Sequence, residues 1–246
     1  MCFYILNLLT IDEFFVKHLS LSPEDAVMLH HKYYKEYGLA IEGLTRFHKI
    51  DPLEFNRQVD DALPLDTILK PDPQLRQLLE DFDRTKVKLW LFTNAYVTHG
   101  KKVVKLLGVD DLFEGITYCD YGAERLVCKP HVDMLKRAEA QSGAISTDKC
   151  YFVGSFLPYL SIQPNNSCNF ILRIVFVILT SRTSSPSDDS YMNCKHAQAH
   201  GWTTVHFVEP HHPEPQVAAS KYRVRRLEEL REIFPYLFKS KATPSD

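Results

Sequence analysis

Three short motifs, in a fixed order along the chain, bring together residue types that bind phosphate. The mostly apolar run Val87–Phe92 ends in Thr93 and Asn94, so a hydroxyl and an amide follow a predicted buried strand. A lone lysine, Lys129, stands before a proline, and two carboxylates stand side by side at Asp188-Asp189. In this order they are a hydrogen-bond donor for a phosphoryl oxygen, a cation for phosphate and a pair of hard oxygen ligands for Mg²⁺. The motifs therefore predict a site for phosphoryl chemistry.

Each motif also has an ordinary structural interpretation. A threonine commonly ends a strand, a lysine before Pro130 is typical of a surface position where a helix begins, and adjacent acids are usually solvated. The occurrence of all three motifs in one order favours the phosphate site over these alternatives. His196 and His200 stand four residues apart in a predicted helix and could share one face. No third metal ligand is evident beside them, so an ordinary helix surface is the favoured interpretation.

Composition excludes several classes of partner. The chain has 246 residues, a formal net charge of −2 and a pI near 6.6, and its basic residues are scattered, which argues against binding a nucleic acid polymer. Six cysteines without a CxxC pair indicate reduced, mostly buried thiols and a cytoplasmic location, with the nucleus as an alternative. The apolar start, residues 1–9, has neither a basic leader nor a small-residue cleavage site, so neither a signal peptide nor a membrane partner is predicted. The oligomeric state is not indicated.

Two patterns of predicted secondary structure follow one another along the chain. From about Ile11 to Asp61 the pattern is helical, with no convincing strand. From Asp72 onward, predicted helices at 73–82, 99–107 and 131–141 alternate with predicted strands at 87–93, 115–118 and 150–153. This alternation is typical of an α/β fold whose parallel sheet is covered on both faces. Ligands of such sheets bind beyond the carboxyl ends of the strands, where Thr93, Asn94 and the segment after Val153 would lie.

Residues 154–187 break the alternation. They contain no Asp, Glu or Lys, although charged residues make up 24% of the chain, and their apolar centre at 170–179 is too short to span a membrane. One interpretation is an unusual loop with an extra strand. The other is an insertion into the fold, because its removal would place the strand 151–153 directly before Asp188-Asp189. No partner strand is evident for the apolar centre, so we expect the segment to be poorly packed.

These motifs resemble those of haloacid dehalogenase (HAD) superfamily phosphatases, in the pyrimidine 5'-nucleotidase branch found in fungi and plants. The resemblance rests on Leu91-Phe92-Thr93-Asn94, Asp120-Tyr121, Cys128-Lys129-Pro130, 188–193 and Gly201-Trp202, and on 33–38 and 48–51 for a small cap. It implies a Rossmann-like parallel-sheet core at 67–153 and 188–238, a helical cap at 11–66, a truncated amino-terminal segment at 1–10 and an atypical insertion at 154–187.

The resemblance also implies an activity, namely Mg²⁺-dependent hydrolysis of a nucleoside 5'-monophosphate, with a pyrimidine base, through an aspartyl-phosphate. The Thr93 hydroxyl would donate to a phosphoryl oxygen with the Asn94 backbone amide assisting, Lys129 would pair with the phosphate charge, and Asp188 and Asp189 would hold the metal. The base preference is not determined, because cap residues such as Tyr33, Tyr34 or His48 could contact a nucleoside or simply pack.

The attacking carboxylate of that family is not where its pattern places it. The family's nucleophile is the first Asp of an Asp-x-Asp motif that ends an amino-terminal strand, and no carboxylate precedes Asp12 here. The literal match Asp81-Phe82-Asp83 falls between a predicted helix and the start of a strand, at the opposite edge of the sheet. The chain is therefore predicted not to form the aspartyl-phosphate by the usual route. The alternatives are a catalytically silent binding protein, the product of a defective gene model, or an unrelated flavodoxin-like domain, although the last would need a glycine-rich phosphate loop that is not seen.

Overall fold

The computed structural model describes residues 3–155, 175–180, 191–208 and 218–240. Its first part is helical, as predicted, with α1 at Phe3–Leu19, α2 at Pro23–Tyr37, α3 at Ala40–His48, α4 at Pro52–Gln58 and a short α5 at Leu65–Ile68. The start of α2 follows from its sequence, because the Ser22 side chain accepts a hydrogen bond from the Asp25 backbone N–H and proline occupies the first turn. Gly38 ends α2 in a left-handed conformation with φ of 78°. Helices α1–α4 are called the helical block below.

The rest of the described chain alternates between helices and strands. The helices are α6 at Pro73–Glu80, α7 at Val97–Leu106, α8 at Val132–Ser142, α9 at Tyr191–His200 and α10 at Leu230–Ile233. The strands are β1 at Val87–Phe92, β2 at Gly115–Thr117, β3 at Cys150–Ser155, β4 at Val175–Thr180, β5 at Thr203–Phe207 and β6 at Tyr222–Val224. They form one sheet in the order β2-β1-β4-β3-β5-β6. The predicted boundaries of the elements between Pro73 and Ser155 agree with these to within about two residues.

Strand β4 runs against its neighbours. It pairs antiparallel with β1 on one side and with β3 on the other, whereas the pairs β1–β2, β3–β5 and β5–β6 are parallel. The expectation that the apolar centre of 154–187 lacks a partner strand is therefore wrong for 175–180, which form a central strand with two partners. A local apolar pattern cannot identify a pairing partner, and this run fits a central strand as well as a loop. The remainder of the segment from 156 lies outside the described residues.

The sheet is covered on both faces, which confirms the α/β fold class. One face of the sheet packs against α6 and α7. The side chains on this face include Leu89, Leu91, Tyr151, Val153 and Val205. Alternate residues, including Phe92 and Phe152, point to the other face, where Trp202 and helices α8 and α9 cover them. A separate apolar cluster fills the helical block and includes Cys119, Tyr121 and Cys128 from the connection between β2 and α8.

The Asp-x-Asp at 81–83 lies where the sequence predicted it, in the turn between α6 and β1. Asp81 pairs with Arg231 at 2.5 Å, and Asp83 pairs with Lys86 at 2.7 Å. Hydrogen bonds from Lys86 and Thr85 lower the pKa of Asp83 to about 2. These carboxylates stabilise a turn at the amino edge of the sheet, at the opposite end of β1 from Thr93.

Four cysteines, namely Cys119, Cys128, Cys150 and Cys194, are buried and free of disulfides, as the composition predicted; the other two lie outside the described residues. Among the helices that the structure describes, none is long and apolar enough to cross a membrane.

The central position of β4 predicts slow hydrogen exchange. We expect the backbone amides of 175–180 to exchange about as slowly as those of β1, because both strands have partners on two sides. The edge strand β6 pairs with β5 alone and should exchange faster. Hydrogen-exchange mass spectrometry measures all three segments in one experiment. Exchange of 175–180 at the rate of an unstructured peptide would contradict the central pairing.

Candidate functional site

The candidate site begins where β1 ends. The Thr93 backbone N–H donates to the Thr117 carbonyl at 2.9 Å, which fixes the residue beside the end of β2. Its side chain is 6% exposed, and its Oγ1 accepts a hydrogen bond from the Ala95 backbone N–H at 3.0 Å. An oxygen that accepts from Ala95 can still donate its own hydrogen. Thr93 is thus oriented as a hydroxyl donor at the carboxyl edge of the sheet.

Asn94 connects this edge to the loop that carries Lys129. Its Nδ2 donates to the Lys129 carbonyl at 3.0 Å, and its Oδ1 accepts from the Lys129 backbone N–H at 2.7 Å. One side-chain amide therefore satisfies both polar backbone groups of a residue 35 positions away. The structure brings together the three predicted residues Thr93, Asn94 and Lys129.

Lys129 is a buried cation. Its side chain is 4% exposed, so the surface position typical of a lysine before a helix is excluded. The ammonium Nζ donates to the Phe92 carbonyl at 3.2 Å and lies 4.9 Å from the centre of the Phe92 ring and 5.4 Å from that of Phe152. A carbonyl and two aromatic faces offset part of the cost of removing the charge from water. A positive charge in such surroundings interacts strongly with an anion brought next to it.

The helical block packs directly on the Lys129 loop. A Cβ atom added to Gly38 would lie 2.8 Å from the Lys129 carbonyl oxygen, so the absence of a side chain allows this close approach. The Cys128 Sγ lies 3.5 Å from both the Tyr37 carbonyl and Glu42 Oε2, to which it can donate. Burial raises the pKa of the Cys128 thiol, so it stays protonated and acts as a donor rather than a nucleophile.

Gly38 and Cys128 were not predicted as site residues. The sequence signal for Gly38 was only that of a helix end, because a glycine directly after a helical pattern indicates a C-cap. Nothing in the spacing of Cys128 and Glu42, which are 86 residues apart, indicated their contact. Contacts between distant segments become visible only when the chain is folded.

The predicted metal ligands Asp188 and Asp189 lie outside the described residues. Within the described ranges, no group of three or more His, Cys, Asp or Glu side chains is placed to hold a metal ion. His200 contacts Glu139 Oε1 at 3.1 Å, and the Trp202 indole N–H donates to the same oxygen at 2.7 Å. His196 is exposed, in agreement with the helix-surface interpretation, whereas His200 is partly buried and helps attach α9 to α8.

Comparison with known proteins identifies the family. The model of the haloacid dehalogenase-like hydrolases matches residues 11–157, which include Thr93, Asn94 and Lys129. "Phosphate metabolism protein 8" of Saccharomyces cerevisiae is 41% identical over 152 residues, which are 58% of this chain and 47% of the yeast protein. The chain thus spans about half the length of this relative. The crystal structure of a HAD phosphatase from Thermococcus onnurineus superposes with a TM-score of 0.55 at 17% identity, covering 94% of this chain and 90% of that one, which shows a shared fold. The chain belongs to the haloacid dehalogenase-like hydrolase family.

Proposed function

We propose that the site at the end of β1 binds the phosphoryl group of a phosphomonoester, and that the substrate class is a nucleoside 5'-monophosphate with a pyrimidine base. The observation that carries the proposal is the pair of hydrogen bonds between Asn94 and the backbone of Lys129. They hold a buried ammonium and the Thr93 hydroxyl at one edge of the sheet. A hydrogen-bond donor and a cation that are buried and fixed in position favour the binding of a phosphoryl group.

Each residue has a separate role in this proposal. Thr93 Oγ1 donates to one phosphoryl oxygen, and Lys129 Nζ balances the charge of the group. The Asn94 backbone N–H assists Thr93 at the phosphoryl group. The Asn94 side-chain amide is occupied by the Lys129 backbone, so that side chain positions the lysine.

Magnesium is the proposed cofactor, held by Asp188 and Asp189 together with the substrate phosphate. In the sequence, one residue, Ser190, separates the pair from α9, which is joined to β5 by Gly201 and Trp202 and packs against that strand. A helix joined to a strand in this way runs back along it, so the amino end of α9 faces the carboxyl edge of the sheet. Lys129 lies at the same edge of the sheet, which supports the proposal that the metal binds there. The ion would neutralise charge on the phosphoryl oxygens.

The described strands support phosphate binding by this chain but not rapid hydrolysis. An aspartyl-phosphate needs a carboxylate that projects from the carboxyl end of a strand. At the central positions, β1 ends in Thr93-Asn94 and β3 ends in Gly154-Ser155, whereas β4 starts at this edge, with Val175 opposite Phe92. None of these three strands presents a carboxylate from its carboxyl end. We therefore propose that the chain 1–246 retains phosphate binding, that its hydrolysis is very slow, and that a catalytically silent binding protein is the second candidate function.

Removal of the Lys129 charge should weaken phosphate binding. We expect Lys129→Met, which keeps most of the side-chain stem, to raise the Kd for inorganic phosphate about ten- to hundredfold, because a charged hydrogen bond is lost. Isothermal titration calorimetry with Mg²⁺ present measures the change. Lys86→Met is the matched control, since Lys86 pairs with Asp83 at the opposite edge of the sheet. Equal affinity in wild type and both variants would contradict the proposed phosphate site.

Turnover by the chain itself should be far below that of ordinary enzymes. With Mg²⁺ and UMP or CMP, we expect phosphate release well under ~1 per second. A coupled phosphate assay measures it, and the double variant Thr93→Ala, Lys129→Ala reports any contaminating phosphatase. Release near 1 per second that disappears in the double variant would show that a carboxylate elsewhere in the chain attacks phosphorus.

A further inference from the structure

Three tyrosines form a cluster beside the candidate phosphate site. The rings of Tyr96 and Tyr121 stack with their centres 5.5 Å apart and an interplanar angle of 25°. Tyr118 meets Tyr96 edge to face, with centres 6.0 Å apart and an angle of 85°. These three residues, Tyr96, Tyr118 and Tyr121, are called the tyrosine cluster.

The cluster is attached to the site through both strand ends. Tyr96 follows Asn94 by two residues and directly precedes α7. Tyr121 Oη donates to the Asn94 carbonyl at 3.4 Å. Tyr118 follows Thr117, whose carbonyl accepts the Thr93 backbone hydrogen bond. The three rings are therefore held next to Thr93 and Asn94, between the sheet edge and the helical block.

The three tyrosines differ in how far their rings are buried. Tyr121 is 4% exposed and belongs to the apolar cluster of the helical block. Tyr96 and Tyr118 are only half-buried, so part of each ring remains accessible to solvent. The buried ring of Tyr121 supports one side of Tyr96 and limits its motion. An accessible aromatic surface with few rotatable bonds, fixed beside an anion site, suits a flat ring covalently joined to the anion.

We propose that Tyr96 and Tyr118 form the wall that contacts the planar ring of the ligand, so that they select a nucleobase over a phosphate ester without one. This inference rests on the proposed phosphate site. It adds the residues that would recognise the nucleoside to which the phosphate is esterified. Base stacking on an aromatic side chain is tolerant of base identity, so the wall distinguishes a nucleotide from a sugar phosphate more strongly than one base from another.

The test compares two ligands that differ only in the base. UMP and ribose 5-phosphate are titrated by calorimetry into wild type, Tyr96→Leu and Tyr118→Leu, so the result does not depend on turnover. We expect each substitution to raise the Kd for UMP about tenfold and to leave that for ribose 5-phosphate unchanged. Tyr222→Leu is the matched control, because this half-buried tyrosine packs edge to face on Phe234 near the far edge of the sheet. It should alter neither affinity, and urea unfolding establishes that each variant is folded.

Two results would overturn the inference while the phosphate site stands. The first is equal affinity of wild type for UMP and ribose 5-phosphate, with binding of both lost in Lys129→Met, which would show that the base makes no contact that contributes to affinity. The second is an equal loss of affinity for both ligands in Tyr96→Leu and Tyr118→Leu, which would show that the tyrosine cluster only supports Asn94. Failure of wild type to bind either ligand would contradict both the proposed function and this inference.

Discussion

The two hydrogen bonds between the Asn94 side chain and the Lys129 backbone are the constraint on which the rest of the site depends. They join the end of β1 to a loop 35 residues later, and the Lys129 side chain can reach the Phe92 carbonyl only because its backbone is held there. The helical block then closes on the same loop through Gly38 and Cys128. Loss of the Asn94 amide would leave two backbone groups of a buried residue without these partners, and each such group costs about 1–3 kcal/mol.

Burial of the Lys129 ammonium is costly in isolation and useful in the presence of a ligand. The Phe92 carbonyl and the faces of the Phe92 and Phe152 rings are among the groups that replace water around the ammonium. Buried surroundings strengthen the attraction of a cation for any anion placed next to it, and the rigid attachment of the Lys129 backbone reduces the reorganisation that binding would need.

The sequence predicted the parts of this structure that depend on local pattern. Strand β1, the helices around it and the placement of Thr93 at the strand end follow from apolar periodicity and helix start signals, and the Asp81 turn follows from its position between a helix and a strand. Pairing partners were not predictable in this way. The antiparallel position of 175–180 between β1 and β3, the approach of Gly38 to Lys129 and the tyrosine cluster all join residues far apart in sequence. The burial of Lys129 was also missed, because a lysine before proline gives no local sign of the two aromatic rings above which it lies.

Strand β4 occupies the position in the sheet that lies beside both Thr93 and the end of β3, but it points the wrong way to deliver a carboxylate to them. The central proposal is that the chain 1–246 binds phosphate at this edge, and that none of the described strands β1, β3 and β4 presents a carboxylate to it. The direct test deletes residues 154–187, which removes β4 and joins Val153 to Asp188, and adds an apolar strand ending in Asp-x-Asp before Met1. Either change alone should fail, because the deletion leaves β1 and β3 each without a partner on the side where β4 lay, and the addition alone has no vacant position in the sheet to enter. Phosphate release from UMP with Mg²⁺ should appear in the doubly changed protein and should be lost again on Asp189→Asn. A doubly changed protein that folds and binds phosphate but releases none would contradict the account.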